Sequence, residues 1–136
     1  MKIYFAGAIR GGRDWQRVYA EIINCLNQLG TVMTEHLGQD SLTTDGEVNL
    51  SEAAIFKRDI EWIRQSDVVV AEVSVPSLGV GYEIGFAEQL GKQVICLYNT
   101  AASHRLSAMI SGNQNVDILQ YDRPEDVMSG LKHYIK

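Results

Sequence analysis

Two rhythms of apolar residues alternate along this chain. Short, nearly continuous apolar runs read as strands buried on both faces, and apolar residues at steps of three and four read as helices with one buried stripe. Lys2–Ala6 is the first run, followed by the loop "GAIRGGRD". Trp15, Val18, Ile22, Leu26 and Leu29 then mark one helix face, with Asp14 as a candidate cap and Gly30 as the stop. Residues 31–34 read as a second strand, and residues 35–50 form a polar, aperiodic connection. Residues 51–65 return to helical spacing through Ala54, Ile55, Ile60, Trp62 and Ile63. The run "DVVVAEVS" predicts a strand covered on both faces. After it, "PSLGVGYEIG" turns into a helix reaching Leu90, with Gly91 behind it. Residues 93–98 read as a fourth strand, 105–110 as a short helix and 117–120 as a weak fifth strand. Pro124 opens a last helix ending near Tyr134.

Strands alternating with helices predict an α/β fold over residues 1–136 as a single domain. Right-handed crossovers favour a doubly wound, five-stranded parallel sheet in the flavodoxin-like order 2-1-3-4-5. The chain has 136 residues, 46% of them hydrophobic, enough for one core and too few for two domains. A net charge of −5 with no basic run argues against a polymeric nucleic-acid partner, but leaves room for one small phosphorylated ligand. Cys25 and Cys96 fall in apolar patterns and read as buried free thiols, which fits a reducing cytoplasm. The three histidines are scattered, so no metal site is predicted. The start "MKIYFAGAIRGG" is too short in its apolar stretch for a signal peptide or a membrane span.

In the predicted strand order, the ligand crevice lies beyond the carboxyl ends of strands 1 and 3. The loops there, "GAIRGG" and "VPSLGVG", are the two richest in glycine. Gly7, Gly11 and Gly12 allow close backbone approach, Arg10 carries a planar charged fork, and Ser77, Gly79 and Gly81 bring a hydroxyl and amides to a helix start. Together they suit one phosphate. Neither loop ends in the G-K-[ST] of a P-loop. The glycine spacing of "GVGYEIG" follows the wrong strand for a dinucleotide site, where Glu83 would repel a pyrophosphate.

Two carboxylates accompany this cradle. Glu83 is expected in the first turn of its helix, where the dipole favours its ionised form. Asp59 falls within the stripe of Ile55, Trp62 and Ile63, where desolvation would raise its pKa unless Arg58 or another cation reaches it. One ionised and one protonated carboxyl is the arrangement that cleaves glycosidic bonds with retention. Trp15 and Trp62 fit helix stripes and read as core rather than as base-stacking platforms.

The segments "YFAGAIRGGR", "TEHL", "RDIEWIRQSDVVVAEVSVPSLGVGYEIG" and "LSAMISG" together resemble the 2′-deoxynucleoside 5′-phosphate N-hydrolases, within the nucleoside 2-deoxyribosyltransferase superfamily. The resemblance implies release of free base and 2-deoxyribose 5-phosphate from a 2′-deoxynucleoside 5′-monophosphate. It implies Glu83 as nucleophile, Asp59 as the acid for the departing base and Tyr4 beside the sugar, where it would exclude a 2′-hydroxyl. Arg10, Ser77 and Gly79, with the Ile9 and Gly11 backbone, match phosphate-binding positions. Ser107 matches a serine reaching the phosphate of a neighbouring subunit, and Met109 and His36 match the base side. The family resembled works as a homodimer without metal or cofactor. Ala8 departs from the family's common serine, a lost phosphate contact worth a roughly tenfold or greater weakening. Two rivals stand beside the hydrolase: a nucleoside 2-deoxyribosyltransferase that passes the sugar to a second base, and a nucleotide-binding domain without catalysis. Residues 38–50 resemble little, so base preference stays open.

Overall fold

The computed structural model describes residues 1–9, 13–34 and 50–135, with Arg13 and Asp14 described by backbone alone. The strands are β1 (Lys2–Ala6), β2 (Thr31–Val32), β3 (Val68–Glu72), β4 (Gln93–Asn99) and β5 (Asp117–Tyr121). The helices are α1 (Arg13–Leu26), α2 (Glu52–Gln65), α3 (Leu78–Gln89), α4 (Ala108–Ser111) and α5 (Val127–Tyr134), the last preceded by a 3-10 turn over Pro124–Asp126. All described strand pairs are parallel, in the order β2-β1-β3-β4-β5. The predicted order is therefore the observed one.

Period-two alternation sends each strand's side chains to two separate cores. Ile3, Phe5, Val68, Val70, Ile95 and Leu97 pack against Tyr19, Ile22, Ile23 and Leu26 of α1 and Val127 and Leu131 of α5. Tyr4, Ala6, Val69, Ala71, Val94 and Cys96 pack against Ile63 of α2, Val80, Ile84 and Ala87 of α3, and Ile110 of α4. Burial on both faces is why these strands read as unbroken apolar runs rather than as alternation.

The differences from the sequence reading are local. β2 ends at Val32 because the Thr34 hydroxyl takes over the ladder's role, accepting from Phe5 N–H at 2.8 Å and donating to Phe5 C=O at 2.6 Å. α1 begins at Arg13, so Asp14 lies inside the first turn rather than capping it from outside. The short helix starts at Ala108, capped by Ser107, and not at residue 105. Ser51 caps α2 through Ala54 N–H at 3.1 Å. Gly91 follows α3 with φ of 72°, the left-handed conformation that ends helices and that glycine adopts without strain. Trp15 and Trp62 are partly buried against the two cores, as expected of stripe residues.

Candidate active site

Parallel pairing of Tyr4 with Val69 and Ala6 with Ala71 sets the carboxyl ends of β1 and β3 side by side. Tyr4 points to the α2–α3 face of the sheet and is almost fully buried. Its hydroxyl donates to the Glu83 carboxylate of α3, making a link between residues 79 apart in the chain. Asp59 of α2 adds its charge to the same cluster: it pushes up the pKa of both Tyr4 and Glu83. Burial pushes the Tyr4 phenol far above its usual range, reinforced by the charges of Glu83 and Asp59, so Tyr4 stays protonated and remains a donor.

The two carboxyl groups stand in environments that reverse the sequence expectation. α3 begins at Leu78, with Ser77 as its cap, and Glu83 falls in the second turn. The helix dipole acts mainly within the first turn, so it does not hold Glu83 ionised. Desolvation dominates instead and raises the Glu83 pKa to about 7; the Tyr4 hydrogen bond opposes the shift and the Asp59 charge adds to it. Asp59 is half-buried and carries the cation that was only a contingency in the sequence. Arg58 Nη2 lies 2.9 Å and Nε 3.0 Å from Asp59 Oδ1. The Arg58 guanidinium also lies over the Trp62 ring, 4.6 Å from its centroid. An ion-paired Asp59 beside a strongly desolvated Glu83 is the opposite of the pairing first inferred.

The loop after β3 brings a hydroxyl and helix-start amides together. Ser77 Oγ accepts from Val80 N–H at 3.2 Å and keeps its own proton to donate. The Leu78 and Gly79 amides lie in the first turn of α3, where helix amides lack intrahelical partners. Ile9 is partly buried against the α1 core. Arg10, Gly11 and His36 lie outside the described residues, as does Gly12.

Ser107 and Met109 are not brought to the Tyr4–Glu83 cluster of their own chain. Both line a groove of about 470 Å³ between α3 and α4, bounded on the α3 side by Ser77, Val80, Gly81, Ile84 and Gly85. Ser107 Oγ accepts from Met109 N–H at 3.2 Å, and Met109 is 81% exposed. Glu83 faces Tyr4 on a different side of α3, so among the described residues the groove meets the candidate site at the Ser77 turn.

Two polar features escaped the sequence reading, and Arg58 entered it only as a contingency. Tyr19 binds the Ala8 peptide, accepting from its N–H at 3.1 Å; that N–H, a candidate substitute for the absent serine hydroxyl, is thereby occupied. Glu72, fully buried at the end of β3, accepts from Ser74 N–H at 2.6 Å, Ser74 Oγ at 3.1 Å and the Tyr121 hydroxyl. A single glutamate inside the apolar run "VVVAEV" was the signal for it.

Comparison with known proteins places the chain in a family. The 5-hydroxymethyl-dUMP N-hydrolase of Tetraodon nigroviridis is 51% identical over 86% of this chain and 83% of its own. The 5-hydroxymethyl-dUMP N-hydrolase of Danio rerio is 43% identical over 100% of this chain and 96% of its own. Among solved structures, the Clostridium botulinum CMP N-glycosidase BcmB shares the fold, with a TM-score of 0.68 at 20% identity over 99% of this chain and 100% of that one. The sequence profile described as nucleoside 2-deoxyribosyltransferase matches residues 3–128, nearly the whole length. On fold and sequence alike, the chain belongs to the nucleoside 2-deoxyribosyltransferase family.

Proposed function

We propose that the chain is a single-domain N-glycosidase that hydrolyses 2′-deoxynucleoside 5′-monophosphates to free base and 2-deoxyribose 5-phosphate. The observation that carries this reading is the Tyr4–Glu83 hydrogen bond with Asp59 beside it, next to the Ser77–Gly79 turn. A Glu83 carboxylate attacks C1′ as the C1′–N bond breaks, forming a glycosyl ester. Asp59 orients the sugar and, once a proton from solvent displaces its pairing with Arg58, passes that proton to the departing base; water then opens the ester, regenerating the Glu83 carboxylate and returning a proton to solvent. With a pKa near 7, Glu83 is ionised in about half of the molecules at neutral pH, while Tyr4 stabilises the ionised form. Tyr4 also packs against the sugar and selects deoxyribose.

Ser77, Gly79 and Arg10, with the Ile9 and Gly11 backbone, take the phosphate; His36 and Met109 border the base. The names of the relatives make a 5-substituted uracil the first base to test. A homodimer, with Ser107 reaching the phosphate site of the second copy, is part of the proposal. Its support is a face of α3 made of one apolar and two small residues and left uncovered: Leu78 is 97% exposed, and a Cβ added at Gly81 or Gly85 would meet nothing within 4 Å. Cytoplasmic action fits the free thiols of Cys25 and Cys96. Among the described residues no helix is long and apolar enough to cross a membrane.

The test is base release from a panel of deoxynucleotides that includes 5-hydroxymethyl-dUMP and the matching ribonucleotides. No release above a Glu83→Ala control removes the proposal. The family also contains transferases, so excess free base is added in a parallel arm; formation of an exchanged nucleotide would make the transferase the better description.

A further inference from the structure

The loop after β1 is held from the far side of the sheet. Tyr19 of α1 is 3% exposed, and its hydroxyl accepts from Ala8 N–H at 3.1 Å and donates to Ala8 C=O at 3.4 Å. Its ring stands edge-on to Phe5 at 5.6 Å between centroids. The same ring fills the space beside Gly7, where an added Cβ would come within 3.0 Å of Tyr19 Cε2 and 3.1 Å of Cζ. Both backbone polar groups of one residue are thus tied to one hydroxyl, and the second of them belongs to the peptide that carries the Ile9 N–H. Ala8 is buried and carries no hydroxyl of its own, so its backbone takes its orientation from Tyr19.

We propose that Tyr19 is a positioning residue for phosphate recognition: its hydroxyl fixes the Ala8 backbone and so aims the Ile9 N–H toward the substrate's 5′-phosphate. This rests on the reading above that the Ile9 backbone binds phosphate. The phosphate is not a reacting group, so a contact to it is the same in the ground state and the transition state. Loosening it raises KM and leaves kcat in place. The loss of one or two neutral hydrogen bonds predicts a KM increase of about 3- to 10-fold.

The experiment compares wild type, Tyr19→Phe and Gly7→Ala. The first removes the hydroxyl and keeps the ring; the second presses on the ring from the loop side and keeps the hydroxyl, so it stands in if the first fails to fold. Kinetics on a deoxynucleoside 5′-monophosphate are paired with calorimetric titration of inorganic phosphate, which needs no turnover. The expected result is a several-fold rise in KM and in the phosphate Kd for both variants, with kcat within twofold of wild type. Unchanged phosphate affinity, no phosphate binding by wild type, or a fall in kcat alone would overturn the role of Tyr19. A wild type that binds phosphate but releases no base would sink the hydrolase reading, and the titrations would still decide on Tyr19.

Discussion

Replacing Tyr4 by phenylalanine tests the physical core of the site, because it removes one named contribution to the ionisation of Glu83 and keeps the ring. Glu83 has a pKa of about 7, the result of desolvation partly offset by the Tyr4 hydrogen bond. A hydrogen bond to a charged group contributes about 1.5–3 kcal/mol. At about 1.4 kcal/mol per pKa unit, its removal raises the Glu83 pKa by about 1–2 units, to about 8–9. The ionised fraction at pH 7 then falls from about half to a few per cent, a loss of about 5- to 50-fold in kcat/KM. The sign follows from the chemistry: the nucleophile is the carboxylate, so the rate climbs with pH through this pKa, and the variant's acidic limb moves to higher pH. The assay is kcat/KM for base release from pH 5 to 10 for both enzymes. The second ionisation of the substrate phosphate, near pH 6, is common to both and cancels from the difference. Any direct contact of the hydroxyl with the sugar lowers the plateau and leaves the limb where it is, so the two effects separate. A variant whose limb stays put, or moves to lower pH, would refute the claim that Tyr4 holds Glu83 ionised.

Glu83→Gln should stabilise the fold. The folded pKa is raised from 4.5 to about 7, so the burden is absent below pH 4.5, grows as pH rises through about 7, and reaches about 3 kcal/mol above it. Melting temperatures at pH 5 and 8 check this, and the variant's advantage should be the larger at pH 8. Asp59→Asn keeps the shape but removes the carboxylate that pairs with Arg58 and takes up the proton passed to the base, so kcat should drop by about 10²- to 10⁴-fold. A single-turnover assay of base release reads that loss directly. At Gly81 an added Cβ meets nothing within 4 Å in one copy, and Gly81→Glu improves helix propensity, so the isolated chain should stay folded while the dimer dissociates and activity falls. Sedimentation velocity beside the activity assay reads both effects.

The sequence was most legible where one physical rule acted alone. Burial on both faces makes β1, β3 and β4 unbroken apolar runs, and a single stripe makes α1 periodic; the handedness of parallel crossovers then left one plausible strand order. β2 was read too long because Thr34 continues the pairing with Phe5 through its side chain, and that substitution leaves no trace in an apolar pattern. At the candidate site, glycine placement and helix stripes singled out Ser77, Glu83 and Asp59, and Tyr4 came only from the family resemblance; the same rules assigned the two carboxyl groups the wrong electrostatic surroundings. Whether Glu83 lies in the first or second turn of α3 decides if the dipole reaches it, and the choice turned on Ser77, one of several residues able to cap that helix. What desolvates Glu83 is the packing of α3 on the sheet, made only once the parallel strands are assembled. The Arg58–Asp59 pair joins consecutive residues, whose side chains leave a helix about 100° apart and do not ordinarily meet. The Trp62 ring, four residues on from Arg58, gives the guanidinium a surface on which to fold back toward Asp59. An aromatic at that spacing therefore converts an unremarkable Arg-Asp dipeptide into a buried-edge ion pair, and the electrostatics of the site follow from a stacking partner rather than from the charged residues themselves.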